Sequence, residues 1–238
     1  MNEIDWGRVE VLTFDCYGTL IDWETGILTA LRRVIAPHIA ADEELLEAYA
    51  GQEAAAEAGP WKPYRAILAD SMVEVCRRYG VAPSPEEHAK FGASVADWPA
   101  FPDSVDALAR LKNRFRLGVI TNCDDDLFAF SNARLGEPFE WIVTAQQAGS
   151  YKPSTHNLEL AFARIDRPRD NIVHVAQSLY HDHVPAKALG LKTVWINRRH
   201  GRSGAGATPP AVGRPDATFP DMVSFAQAAL ATKGRRDP

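Results

Sequence analysis

Sulfur is scarce in this chain, which holds three cysteines and three methionines in 238 residues. Cys16, Cys76 and Cys123 are too few and too widely spaced for a disulfide framework or a zinc site. Reduced thiols in a cytoplasm are the expectation. Long apolar runs are missing too, and none approaches the about 20 residues of a membrane span. The opening residues lack the basic region and apolar core of a signal peptide. Excess positive charge is absent, since the formal net charge is −5. That balance leaves no footprint for a polyanion, so neither nucleic acid nor a membrane is an expected partner. No internal repeat divides the chain.

What the chain does have is an alternation of apolar runs with helical patterns. Its length suits one large core plus a small insert. Residues 11–14 form a compact apolar run after polar ones, as a buried parallel strand does. From Asp22 to about Asp97 the pattern is helical. Ile27, Leu28, Leu31, Val34 and Ile35 recur at helical spacing until Pro37. Asp42 ahead of Glu43 and Glu44 signals a helix start, and Gly59-Pro60 breaks the alanine-rich helix that follows. Ile67, Met72, Val73 and Val75 mark a third helix, and Ser84-Pro85 opens a fourth. Strands resume at 117–120, 141–143, 172–175 and 193–196, with a short one at 217–219. Helices between strands imply βαβ units, right-handed crossovers and a parallel sheet. The Gly- and Pro-rich stretch 201–215 reads as a mobile surface loop. The tail after Thr232 reads as frayed. The expected fold is α/β, a Rossmann-like parallel-sheet core from residues 1–21 and 98–238 with a helical cap inserted at 22–97.

The chemistry-bearing residues fall at strand ends. Asp15 sits where the first strand gives way to a turn at Gly18, and the carboxyl end of a strand is where open α/β sheets bind ligands. A carboxylate there can act as a nucleophile. Thr121-Asn122 follows the second strand and leads into a helix N-terminus, a place suited to anions. Behind it, Asp125 and Asp126 read as caps of that helix. In Tyr151-Lys152-Pro153 the lysine would favour an ionised carboxylate nearby and neutralise an anionic substrate or leaving group. After the strand at 172–175 come Gln177, Ser178, His181 and Asp182. His181 reads as a pocket-lining candidate, His183 and His174 as structural residues.

Phe14-Asp15-Cys16-Tyr17-Gly18-Thr19-Leu20, followed in order by Thr121-Asn122, Lys152-Pro153 and Asp182, resembles the four motifs of the haloacid dehalogenase superfamily. The resemblance implies that Asp15, Lys152 and Asp182 are catalytic and that Tyr17, Thr121, Asn122 and Ser178 bind substrate. Most members are phosphatases with a second aspartate, their acid and base, where this chain has Tyr17. A phenol with a pKa near ~10 does not replace a carboxylate in that role at neutral pH. Gln177 stands where phosphatases have a magnesium-binding acid, and hard cations prefer carboxylates.

Tyrosine at position 17 resembles the 2-haloacid dehalogenase branch. The implied reaction is hydrolytic dehalogenation of a short 2-haloalkanoic acid. Asp15 would displace halide from C2, and water oriented by Asp182 would hydrolyse the resulting ester. A small-molecule substrate, no metal and no cofactor are expected, with a homodimer as an open possibility. The chain departs from the branch at three places. Leu158 replaces a tyrosine, Leu179 an asparagine, and residues 49–60 hold no arginine to bind the departing halide. Gln52, Trp61 or backbone N–H groups are the expected substitutes. A phosphatase acting on a small phosphomonoester and a non-catalytic binding protein are the alternatives.

Overall fold

A computed structural model describes residues 4–202 and 204–231. The expected frayed tail after Thr232 lies outside these residues. β1 (Val11–Phe14) is buried along its whole length, as a strand covered on both faces must be. It pairs in parallel with β2 (Arg116–Thr121) on one side and β4 (Ile172–Ala176) on the other, setting Leu12 beside Leu117 and Val173. With β3 (Trp141–Thr144), β5 (Lys192–Ile196) and β6 (Ala217–Phe219), the sheet runs in the order β3-β2-β1-β4-β5-β6, all parallel. The chain winds outward from β1 in one direction and then, from β4, in the other. The gap between β1 and β4 is therefore a topological switch point, where such sheets bind ligands.

Between β1 and β2 lie α1 (Trp23–Leu31), α2 (Asp42–Glu57), α3 (Tyr64–Arg78), α4 (Pro85–Ala93), a short 3-10 turn (Ser94–Asp97) and α5 (Ser104–Lys112). All of these helices are inserted between the first two strands, and α5 is the last of them before β2. α4 begins with a full capping box, the Ser84 hydroxyl accepting from the Glu87 N–H while the Glu87 carboxylate accepts from the Ser84 N–H. Asp42 lies one place inside α2, whose cap position is Ala41, and its carboxylate binds Arg32. The remaining crossovers carry α6 (Asp125–Arg134), α7 (Ala145–Ala148), α8 (His156–Arg164), α9 (Val184–Ala188) and the closing α10 (Met222–Ala231). None of the helices is long and apolar enough to cross a membrane, among the described residues.

One apolar cluster runs from sheet to insert, including Phe14, Leu20, Ile27, Tyr49, Leu68, Trp98, Phe128 and Phe225. Each such side chain contributes about 1.5–3 kcal/mol on burial. Trp98 packs so closely on α1 that a Cβ at Gly26 would stand 2.3 Å from its ring. The stretch 201–215 has neither helix nor strand among its described residues, but its middle is anchored. Ala207 is fully buried, and the N–H groups of Gly206 and Ala207 donate to Glu43 and Glu24 at 3.2 Å. Arg199 bridges the same two carboxylates at 2.6 and 2.7 Å. Hydrogen bonds to these two carboxylates thus tie the loop to α1 and α2, where composition alone suggested a mobile surface segment.

Candidate active site

The turn after β1 builds the first part of the site. The Cys16 carbonyl accepts the N–H groups of Thr19, Leu20 and Ile21 at 2.8–3.3 Å, closing the chain on itself. Gly18 has φ +88°, a conformation that costs a glycine little. A Cβ there would also meet the Trp23 ring at 2.9 Å. This tight turn brings the Thr19 hydroxyl back onto Asp15 Oδ2 at 2.7 Å. The Gln177 N–H donates to the Thr19 hydroxyl at 2.8 Å, so that hydroxyl links the ends of β1 and β4.

Lys152 completes the centre. Its Nζ donates to Asp15 Oδ1 at 2.8 Å, Asp182 Oδ1 at 2.7 Å and the Ile120 carbonyl at 2.9 Å. The side chain is 1 % exposed. Asn122 fixes the residue's backbone, accepting the Lys152 N–H at 2.8 Å and donating to its carbonyl at 3.0 Å. Three residues far apart in sequence thus meet at the switch point: Asp15 from the end of β1, Lys152 from beyond α7, and Asp182 from the helical turn after β4. Burial works against the ammonium, but Asp15 and Asp182 outweigh it and hold its pKa above the usual lysine value.

One ammonium serves two buried carboxylates, and their ionisation divides accordingly. Burial raises the pKa of Asp15, opposed by Lys152 and reinforced by the Asp182 charge. Burial also pushes Asp182 upward, but Lys152 and His174 overcome it and hold this carboxyl below its usual range. His174 Nε2 lies 3.0 Å from Asp182 Oδ1 while Nδ1 meets the Thr13 hydroxyl at 2.9 Å. His174 is the satisfied core residue expected, and it also orients a site carboxylate.

Around this centre lies a cavity of about 20 Å³, lined by Asp15, Tyr17, Trp23, Asn122, Lys152, Ser178, His181 and Asp182, by Glu53 and Glu57 from α2, and by Tyr64 from α3. Tyr17 stands edge-on to Trp98 and its hydroxyl meets Ser131 at 3.1 Å and Cys123 at 3.3 Å. Burial pushes its phenol well above the ordinary pKa. The Ser178 hydroxyl accepts the His181 N–H at 2.9 Å and holds His181 Nδ1 at 3.2 Å. Burial lowers His181 to about 4, so its ring is neutral near pH 7. His183 turns away to the Ala176 carbonyl at 3.0 Å, as a structural residue does.

Of the sequence-derived candidates, Asp15, Tyr17, Asn122, Lys152, Ser178 and Asp182 all line the cavity. Thr121 is fully buried but is not among the lining residues. Leu158 lies in a separate apolar cluster under α8. Trp61 is 44 % exposed, and Gln52 lines a different groove with Lys62 and Asp70, so neither reaches the centre. Gln177 likewise faces other cavities, its Oε1 meeting the Thr208 hydroxyl at 3.3 Å. No group of three or more His, Cys, Asp or Glu side chains is placed to hold a metal ion among the described residues. With Gln177 turned aside and Lys152 between the two aspartates, the side chains do not fit a magnesium ion.

Several site residues escaped the sequence reading. Thr19 was inside the first motif without an assigned role. Tyr49, Glu53 and Glu57 recur every four residues on α2, a polar stripe that marks one helix face. Glu53 Oε1 accepts from the hydroxyls of Tyr49 at 2.9 Å and Tyr64 at 2.7 Å. Glu57 accepts from Asn122 Nδ2 at 3.1 Å and approaches His181 at 3.6 Å. Asp124, just after β2, caps α3 by accepting the N–H groups of Tyr64 at 2.8 Å and Arg65 at 2.9 Å.

A six-stranded parallel sheet with a buried lysine between two buried carboxylates at its switch point defines an α/β protein with a charged cluster where such sheets bind ligands. A family model for haloacid dehalogenase-like hydrolases matches residues 9–190, and the chain belongs to that family. It is 24 % identical over 147 residues to the (S)-2-haloacid dehalogenase of Pseudomonas putida, a match covering 60 % of this chain and 64 % of that one. The chain therefore spans just under two thirds of that relative's length. A second Pseudomonas putida (S)-2-haloacid dehalogenase, H-109, is 20 % identical over 80 % of this chain and 87 % of its own. The L-2-haloacid dehalogenase of Xanthobacter autotrophicus, solved with chloropropionic acid covalently bound, superposes with a TM-score of 0.79 at 14 % identity, covering 94 % of this chain and all of that one.

Proposed function

We propose that the protein hydrolyses a carbon–halide bond in a small organic molecule through an ester formed on Asp15. The observation carrying this reading is the buried Asp15 carboxylate, held by Thr19 on one oxygen and Lys152 on the other, and facing a small cavity. Poor solvation makes such a carboxylate more basic than one in water. Attack on the halogen-bearing carbon forms a C–O bond and expels halide with the bonding pair. Water then attacks the acyl carbon of the ester, which returns the carboxylate and releases an alcohol. Splitting displacement from hydrolysis is the gain of covalent catalysis. Asp182 orients this water, and Tyr17 and Ser178 shape the pocket. The segment 22–97 is the cap over a core of residues 1–21 and 98–238.

The names of the relatives put 2-haloalkanoic acids first among candidate substrates. Two features weigh against a phosphatase. The Tyr17 phenol, with its raised pKa, is no acid or base near pH 7. Gln177 supplies no carboxylate and faces another cavity.

The test is isotopic. In heavy-oxygen water, a single turnover of the wild type is expected to label Asp15 and leave the first product unlabelled. Asp15→Asn is expected to abolish turnover, since an amide forms no hydrolysable ester. Label in the product of that first turnover would show direct attack by water and end the proposal.

A further inference from the structure

We infer that His181 binds the substrate, its Nε2–H donating to an anionic atom of the bound molecule, a carboxylate oxygen or the departing halide. The inference rests on the haloacid reading above and gives it a further binding residue. It begins with one buried nitrogen. His181 lines the cavity, its side chain is 8 % exposed, and its Nε2 has no hydrogen-bond partner among the described residues. The other ring nitrogen decides where the proton sits. The Ser178 hydroxyl accepts the His181 backbone N–H at 2.9 Å, and Nδ1 at 3.2 Å is the acceptor for its single O–H. Nδ1 therefore presents its lone pair. Burial lowers the ring's pKa to about 4, so near neutral pH the ring carries one proton, on Nε2.

The fold thus holds an N–H donor against the cavity with nothing to accept it. Burying such a donor unpaired is costly, and an acceptor on a ligand removes that cost. The Glu57 carboxyl stands 3.6 Å from Nε2, beyond hydrogen-bond reach. Burial and the Glu53 charge hold Glu57 toward its neutral form, and burial raises Glu53 to about 7. Below that pH the α2 wall sets little negative charge against an entering anion. The neighbouring ammonium and amide are already spent. Lys152 Nζ reaches Asp15, Asp182 and the Ile120 carbonyl, and Asn122 Nδ2 reaches Glu57 and the Lys152 carbonyl. An ionised acceptor makes the stronger hydrogen bond. A 2-haloacid offers two, its carboxylate from the outset and its halide as the carbon–halide bond breaks.

The test reads binding and the proton separately from turnover. At pH 6 and constant ionic strength, propionate, bromide and the neutral isostere propionamide are each titrated into the wild type and followed by thermal shift. At least one anion is expected to raise the unfolding temperature more than propionamide does. Propionate doing so marks a carboxylate seat, and bromide a halide seat. His181→Phe is expected to weaken that binding at least about tenfold, and His181→Leu serves if the first variant does not fold by circular dichroism. Nitrogen-15 spectra of the wild type, assigned by the signals lost in the variant, are expected to place the proton on Nε2. A proton on Nδ1, no preference for either anion over propionamide, or unchanged anion binding in the folded variant overturns the inference.

Mass analysis of Asp15 after exposure to 2-chloropropionate checks the nucleophile on its own. An Asp15 ester in the wild type, with anion binding unchanged in the variant, refutes the His181 seat and keeps the nucleophile. No ester, with anion binding lost in the variant, refutes the nucleophile and keeps the seat.

Discussion

Replacing Lys152 with methionine preserves most of the side chain's volume and removes its charge. The ammonium is buried with three acceptors around it, two of them buried carboxylates. Removing one partner of a buried ion pair costs about 3–5 kcal/mol, because the remaining charge is left uncompensated. For a chain of this length each kcal/mol moves the melting temperature by about 2–4 °C. Lys152→Met should therefore melt about 6–20 °C below the wild type at pH 7, read by circular dichroism. The pH dependence gives a second check. In the wild type Asp182 has a lowered pKa, so its stabilising contribution is present above the unfolded value and survives mild acid. Without the ammonium, burial and mutual repulsion raise both carboxyls above their unfolded values. Their penalty is then full at neutral pH and falls as acid protonates them. The gap in melting temperature should narrow between pH 7 and pH 5. A drop under about 3 °C at pH 7, or a gap that widens in acid, would refute the bridging role.

Activity should survive EDTA at wild-type level, since Gln177 offers no carboxylate and faces another cavity; turnover lost on chelation and restored by magnesium would contradict this. Gly26→Ala should lower stability by about 1–3 kcal/mol in urea denaturation, because the new Cβ falls 2.3 Å from the Trp98 ring. Alanine's helix propensity offsets only about 1 kcal/mol of that. An unchanged or raised midpoint would mean that α1 can move away from Trp98 at little cost.

The sheet was legible because buried parallel strands are short apolar runs, and 11–14, 117–120 and 172–175 each stand out between polar stretches. Asp15, Lys152 and Asp182 were legible as motif residues in order along the chain. Their joint dependence on one ammonium was not, since three acceptors around Lys152 are a property of packing. Glu53 and Glu57 stayed hidden in an alanine-rich helix that carries no motif. Only the docking of α2 over the sheet turns their face inward. Asp124 was obscured by its neighbours Asp125 and Asp126, which sit at the start of α6. One residue earlier, the same side chain type crosses to another helix altogether. Loop 201–215 misled for a related reason, because glycine and proline signal irregular backbone without saying whether charged partners will hold it.

Asp124 has a consequence for the size of the site. The cavity holds about 20 Å³, little more than the space a water needs and too little for a haloalkane. Tyr64, one wall of that space, stands at the start of α3, and its backbone N–H and that of Arg65 are both held by the Asp124 carboxylate. Bonds to a charged group contribute about 1.5–3 kcal/mol each. The width of the cavity on the Tyr64 side is therefore set by an aspartate that is not among its lining residues.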